Sequence, residues 1–266
     1  MKTAYFRFYS GLNDFLLAKQ RMGNFPYPFT GNPSVKSLVE GLGVPHTEVD
    51  LILVNGQAVS FSHSVHDGDR ISVYPAFQSL DVSLVSQVRP PRLPLVRFVL
   101  DVHLGRLAAY LRMLGFDTLY RRDWDDEELS RIAATDPRIL LTRDAGLLMR
   151  SAVQYGYYVR ESNAHRQLGE VSCRFDLLES IQPFKRCLRC NEPLKPVPKE
   201  SVLKRLPRRT QEHYNEFWQC EGCGRVYWSG SHYRRMKQFI GQVVKGLTRP
   251  RLGGALLYRV GEGLPE

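Results

Sequence analysis

Two C-x-x-C pairs, Cys187-Leu188-Arg189-Cys190 and Cys220-Glu221-Gly222-Cys223, stand 29 residues apart and constrain this chain more than any other feature. Each pair is followed by a residue suited to a turn, Asn191 and Gly224. Two such knuckles bring four sulfurs to the corners of a tetrahedron, the geometry of a closed structural zinc site. A redox reading of the pairs needs a helix after the first cysteine, and Asn191-Glu192-Pro193 denies one. Cysteines spaced for metal suit a reducing compartment, so a cytoplasmic location is expected. The fifth, Cys173, reads as a small core residue.

The charge points the same way along the chain. The sequence carries 37 Lys and Arg against 27 Asp and Glu, and residues 181–266 alone hold 17 basic against 7 acidic side chains. Residues 95–180, with 12 against 13, hold nearly half of the carboxylates. A basic excess of this kind fits a polyanionic partner. Between the knuckles Lys204, Arg205, Arg208 and Arg209 alternate with prolines and apolar residues, and Tyr214, Phe217, Trp218, Tyr227, Trp228 and Tyr233 interleave with the later cations. Basic residues that track phosphates beside aromatics that stack on bases suit single-stranded RNA, although at least half of these aromatics are expected in the ribbon's own core. No apolar run reaches membrane-spanning length, and no membrane partner is expected.

Residues 1–77 read as β-β-α-β-β-β, with a helix from Ser34 to Leu42, strands at Val49–Val54, Ala58-Val59 and Arg70–Tyr74, and Asn55-Gly56 as a hairpin turn. Ile52-Leu53-Val54-Asn55-Gly56 and Asp67-Gly68-Asp69-Arg70-Ile71 give this region a resemblance to ubiquitin-like sulfur carriers, and hence a β-grasp fold. Carrier chemistry needs a terminal Gly-Gly, whereas twelve residues follow Gly253-Gly254. An interaction or substrate-presenting module, with a protein as a candidate partner, is expected instead. The proline-rich stretch 78–94 reads as a linker.

From 95 to 180 strands and helices alternate: strand Val96–Leu100, helix Leu104–Leu114, strand Thr118–Tyr120, helix Glu127–Ala134, strand Arg138–Leu141, helix Ala145–Tyr155, strand Tyr157–Arg160, and a helical stretch to Leu178. This order predicts an open parallel sheet with helices on both faces. The chain is thus multi-domain, α+β and α/β, with a small zinc ribbon at 181–247 and a tail at 248–266. Asp101, Asp123 and Asp144 each follow a strand of the middle segment, and Asp125 and Asp126 open a helix. In a parallel sheet such residues gather along one edge. Carboxylates massed there call for a hard cation, Mg²⁺ or Mn²⁺, which supports phosphodiester hydrolysis. Helix capping is the competing reading, because Asp125 and Glu128 have capping-box spacing. Neither G-x-x-x-x-G-K-[ST] nor G-x-G-x-x-G occurs, which leaves nucleotide sites without support.

The runs Asp101-Val102-His103-Leu104-Gly105-Arg106-Leu107-Ala108, Leu111-Arg112-Met113-Leu114-Gly115-Phe116-Asp117-Thr118, Asp126-Glu127-Glu128-Leu129 and Leu141-Thr142-Arg143-Asp144 resemble one family closely. It is the PIN-like ribonuclease domain also found at the C-terminus of the mut-seven exonuclease, commonly fused to a zinc ribbon and in some members to an N-terminal ubiquitin-like domain. The resemblance implies a metal-dependent RNase in which Asp101, Asp126 and Asp144 are acidic ligands, with Asp123 and Asp125 as further candidates. Arg112 and Arg143 fall in motif positions suited to phosphate, with structural pairing as the alternative. The implied substrate is RNA, single-stranded or of transfer or ribosomal type. A non-catalytic RNA- or ribosome-binding adaptor is the rival reading.

Overall fold

The computed structural model describes residues 1–77 and 80–247. Its strands are β1 (Lys2–Phe8), β2 (Phe25–Phe29), β3 (Val49–Val54), β4 (Gln57–Ala58), β5 (Arg70–Pro75), β6 (Phe98–Leu100), β7 (Thr118–Tyr120), β8 (Ile139–Thr142), β9 (Gly156–Tyr158), β10 (Leu194–Val197), β11 (Phe217–Cys220) and β12 (Val226–Trp228). Its α-helices are α1 (Val35–Gly41), α2 (Gly105–Met113), α3 (Asp126–Thr135), α4 (Ala145–Leu148), α5 (Ala164–Arg174), α6 (Lys199–Val202), α7 (Arg208–His213) and α8 (Ser231–Leu247). Two compact units result. One comprises Met1–His103 and Arg121–Tyr158, the other Leu104–Tyr120 and the described residues from Val159 onward.

In the first unit a mixed sheet runs β2-β1-β5-β3-β4, with β1 and β5 parallel and the other pairs antiparallel. This is the β-grasp arrangement. Alternation along β1 buries Ala4, Phe6 and Phe8 while Tyr5 and Arg7 face outward. Val35, Leu38 and Val39 of α1 complete the core with Ile52, Ile71 and Val73. Asn55 (φ 51°) and Gly56 (φ 85°) adopt the left-handed backbone that a two-residue hairpin needs. β2 holds Pro26 and Pro28, which obscured it in the sequence; as an edge strand it pairs on one side only and tolerates missing donors. The expected linker is partly tied down. Val88 joins the grasp core, Arg89 Nε lies 2.9 Å from Asp50 Oδ1, and Ser86 Oγ donates to the Asp50 carbonyl at 2.6 Å.

The same unit carries the parallel ladder β6-β8-β9, with α3 and α4 packed on it. α4 spans only Ala145–Leu148, not the expected Ala145–Tyr155. Leu148 and Val153 are both fully buried at a five-residue spacing, which no single helical face accommodates. The helical stretch expected to reach Leu178 ends as α5 at Arg174, followed by a short 3-10 turn at Leu178–Ser180.

In the second unit β10-β11-β12 form an antiparallel sheet over a small core of Val202, Leu206 and Phe217, with Tyr214 and Trp228 packed against it. α8 is amphipathic, and its apolar residues Ile240 and Val243 are buried. Phe239 stacks on Tyr110 and His165, 5.0 and 4.8 Å between centroids, which ties α8 to α2 and α5. Among the described residues no helix is long and apolar enough to cross a membrane. The tail at 248–266 lies outside the described residues.

Candidate functional site

β6 and β8 are adjacent and parallel, so the residues that follow them emerge side by side at their carboxyl ends. Asp101 leaves β6 with its amide bonded to the Leu141 carbonyl, 3.1 Å away. Its side chain is only 9 % exposed. Thr142, fully buried at the end of β8, donates its hydroxyl to Asp101 Oδ2 at 2.9 Å and accepts the Asp144 amide at 2.9 Å. One hydroxyl therefore bridges the two strand ends and holds both aspartates in register. His103 Nδ1 lies 3.2 Å from Asp101 Oδ2, on an exposed ring.

The exposed Asp144 uses Oδ1 to cap α4, accepting from Gly146 N at 2.7 Å and Leu147 N at 3.4 Å. Asp126 sits in the first turn of α3, 3.9 Å from Arg150, beside a cleft of about 430 Å³ lined by Glu127, Ser130, Arg131 and Arg150. Asp101, Asp126 and Asp144 do not make a set of three oxygens within 4.8 Å of one another; among the described residues only the four cysteines and a His63-His66-Asp69 group meet that condition. Asp123 and Asp125 are committed elsewhere. Asp123 makes a two-pronged pair with Arg121 at 3.0 and 2.7 Å, whose hydrogen bonds hold its carboxyl below the usual range, and Asp125 caps α3 through Glu128 N at 2.8 Å.

In the second unit the four cysteine sulfurs lie within 4.8 Å of one another, with Cys187–Cys223 at 3.6 Å and Cys190–Cys220 at 3.2 Å. Zinc–sulfur bonds of about 2.3 Å in a tetrahedron require sulfurs about 3.8 Å apart, so the donor set fits zinc. The knuckles are built alike. Asn191 N donates to Cys187 O and Gly224 N to Cys220 O, with φ at 75° and 69°, the conformation each turn requires. Burial raises the Cys187 thiol, yet hydrogen bonds from the Tyr227 hydroxyl at 3.1 Å and from backbone amides outweigh it and bring the pKa to about 6. Burial pushes Cys190 and Cys220 up.

The Mut7-C RNAse domain model matches residues 96–240, more than half of the chain. The chain belongs to the Mut7-C RNAse domain family. The Mut7-C ubiquitin model matches residues 1–81, in agreement with the β-grasp sheet. No curated protein and no solved structure matches the chain. The match to an RNase domain gives this Mut7-C protein a nuclease-like function.

The structure corrects one expectation within the family motif. Arg112 does not face phosphate: it is 4 % exposed, and its guanidinium donates to the carbonyls of Thr118 (2.9 Å), Leu188 (3.1 Å) and Arg189 (2.8 Å). Burial draws its pKa below the guanidinium norm, while Cys187, Cys190 and Asp117 favour its charge. Asn191 completes this clamp on the first knuckle, accepting from Thr118 N at 2.8 Å and donating to Asp117 at 2.8 Å. Arg143, Lys204, Arg205, Arg208 and Arg209 are exposed; Arg205 also donates to Gly224 O and Arg208 pairs with Glu212. Of the six aromatics, Phe217, Tyr214 and Trp228 serve the ribbon core, Tyr227 meets Cys187, and Tyr233 packs on Phe184 at 4.3 Å between centroids. Sequence reasoning missed Thr142. A hydroxyl residue closing a strand two positions before an aspartate is the signal for Thr142.

Proposed function

We propose that this Mut7-C protein is a metal-dependent ribonuclease that hydrolyses RNA phosphodiesters at the edge carrying Asp101 and Asp144. The observation that carries the reading is the Thr142 hydroxyl joining Asp101 Oδ2 to the Asp144 amide across two parallel strand ends. Hard divalent ions are commonly held by one or two carboxylates plus waters, and this oxygen-rich pair fits Mg²⁺ or Mn²⁺. Bound there, such an ion would polarise the phosphodiester and lower the pKa of an attacking water. Asp101, fixed by Thr142 and the Val102 amide, would present a rigid carboxylate. Asp144, with Oδ1 anchored on the α4 amides, would offer Oδ2. Asp126 would contribute from α3 through an intervening water.

The four cysteines would hold a structural zinc, which folds the ribbon and keeps Lys204, Arg205, Arg208 and Arg209 on a surface for the RNA backbone. Residues 1–77 would bind a protein partner, and the protein would work in the cytoplasm. The separation of the three carboxylates favours a second reading, a non-catalytic RNA- or ribosome-binding adaptor in which the aspartates only cap and pair. Incubating the full-length protein with single-stranded RNA and Mg²⁺ or Mn²⁺, beside an Asp101→Asn/Asp144→Asn double variant, separates the two. Metal-dependent cleavage by the wild type, lost in the variant, is expected. Equal cleavage by both proteins, or none by the wild type with either metal, refutes the nuclease.

A further inference from the structure

We propose that His63, His66 and Asp69 form a second metal site, on the β-grasp domain, for a divalent late transition-metal ion such as nickel or zinc. Each residue offers one ligand atom, and the three atoms lie within 4.8 Å of one another. Two imidazole nitrogens and one carboxylate oxygen select this class of ion over Mg²⁺ or Ca²⁺, which take all-oxygen shells. Three protein ligands leave room for water in the remaining positions.

The loop that carries them is held before any ion binds. Val35 N donates to His63 O at 2.8 Å, and Val65, fully buried, donates its amide to Pro33 O at 3.0 Å. Gly68, at φ +83°, donates to Thr3 O at 2.8 Å, while Thr3 N returns a bond to Asp67 Oδ1 at 2.7 Å. Two donors orient Asp69: Asn55 Nδ2 on Oδ1 and His66 N on Oδ2, both at 2.8 Å. Its carboxylate is 8 % exposed as a residue, and no Lys or Arg is among its described contacts. A buried carboxylate opposed only by neutral donors and an imidazole gains from a cation. His66 Nδ1 stands 3.8 Å from Asp69 Oδ2, and its 70 % exposed ring is free to rotate the last fraction of an ångström toward a shared ion. Oδ2 has two lone pairs, so the bond from His66 N leaves one for the metal.

The test uses the full chain with its cysteine site first loaded with zinc, titrated with Ni²⁺ by calorimetry, and assayed afterwards for retained zinc. One equivalent of nickel is expected to bind. His63→Ala and His66→Ala should each weaken it at least about tenfold, because losing a ligand costs more than losing a ligand's hydrogen-bond support. Substoichiometric Ni²⁺ should broaden the ring signals of His63 and His66 in the wild-type spectrum, a readout that does not depend on any variant folding. Absence of nickel uptake, unchanged uptake by the double variant, or broadening confined to other histidines such as His103 overturns the site.

Discussion

Arg112 offers the sharpest test of how the family motif works. If it clamps the first knuckle, Arg112→Met removes a buried cation that serves three carbonyls. Hydrogen bonds to a charged donor contribute about 1.5–3 kcal/mol each, but the three share one group and relax together, so their sum overstates the loss. A cost of about 3–5 kcal/mol, that of breaking a buried charged network, is expected. Total stability is about 5–15 kcal/mol for a typical domain, and a loss of this size would move the denaturant midpoint clearly. With zinc on the four cysteines, the guanidinium would also offset the negative charge of their sulfurs, so chelator-driven zinc release should accelerate by about 10–100-fold. Arg112→Lys should recover little, because a single ammonium cannot fork toward three carbonyls. Urea unfolding and zinc release followed with a chromogenic chelator measure both effects. A phosphate contact predicts the opposite pattern: intact stability and zinc retention, with the salt slope of RNA binding lowered by about one. That pattern would refute the clamp.

Three further outcomes follow from particular contacts. Thr142→Val keeps the shape of a fully buried side chain but strands the Asp144 amide and leaves Asp101 Oδ2 to His103 alone, so denaturant unfolding should show a loss of about 1–3 kcal/mol that Thr142→Ser restores. Gly115→Ala places a Cβ 2.1 Å from the Gln182 carbonyl at φ +99°, a strain no rotamer relieves; a loss of at least about 2 kcal/mol should appear as a lower melting temperature. His165, bonded to Tyr110 at 2.8 Å, has its pKa lowered first by burial and then by Arg106. Stability is therefore complete above its ordinary value of about 6.5 and declines as pH falls through the depressed folded-state value, and His165→Gln should flatten that part of a melting-temperature profile.

How legible each part was in the sequence depends on whether its signal was local. The four-cysteine cluster could be read outright, because spacing and the following turn residue are both written within five positions. The β-grasp sheet was legible from the β-β-α-β-β-β order and from Asn55-Gly56, whereas the position of β2 was hidden by prolines that only an edge strand tolerates. The strand-end aspartates were visible, but which of them the fold ties together was not. That choice rests on one hydroxyl, Thr142, reaching across 41 positions to Asp101. The knuckle clamp left no trace, since Arg112 seeks backbone carbonyls 76 and 77 positions away, and a carbonyl has no sequence signature. His63, His66 and Asp69 recur every three residues in a loop, and only the pinned backbone brings them together.

The clamp also accounts for the reach of the family match, which runs without a break from residue 96 to residue 240 and so through both cysteine pairs. The run Leu111–Thr118 looks like part of an α/β domain, yet its polar groups are satisfied by the ribbon. Arg112 needs the carbonyls of Leu188 and Arg189, Thr118 N needs Asn191 Oδ1, and Gly115 exists to let residue 182 pass. A chain cut near 180 would keep the guanidinium on α2 but lose two of its three acceptors, and would leave the Thr118 amide bare. Leaving such groups unpaired when buried costs about 1–3 kcal/mol each, more for a charge. A ribbon separated in this way would lose Arg112, the only side chain among the described contacts that holds the Leu188 and Arg189 carbonyls in place. The fold of the first knuckle and the packing of α2 are thus one cooperative structure. The motif Leu111–Thr118 marks where an apparently separate ribbon is built into its neighbour, while Asp101 and Leu141–Asp144 form the strand-end edge at which we propose the chemistry.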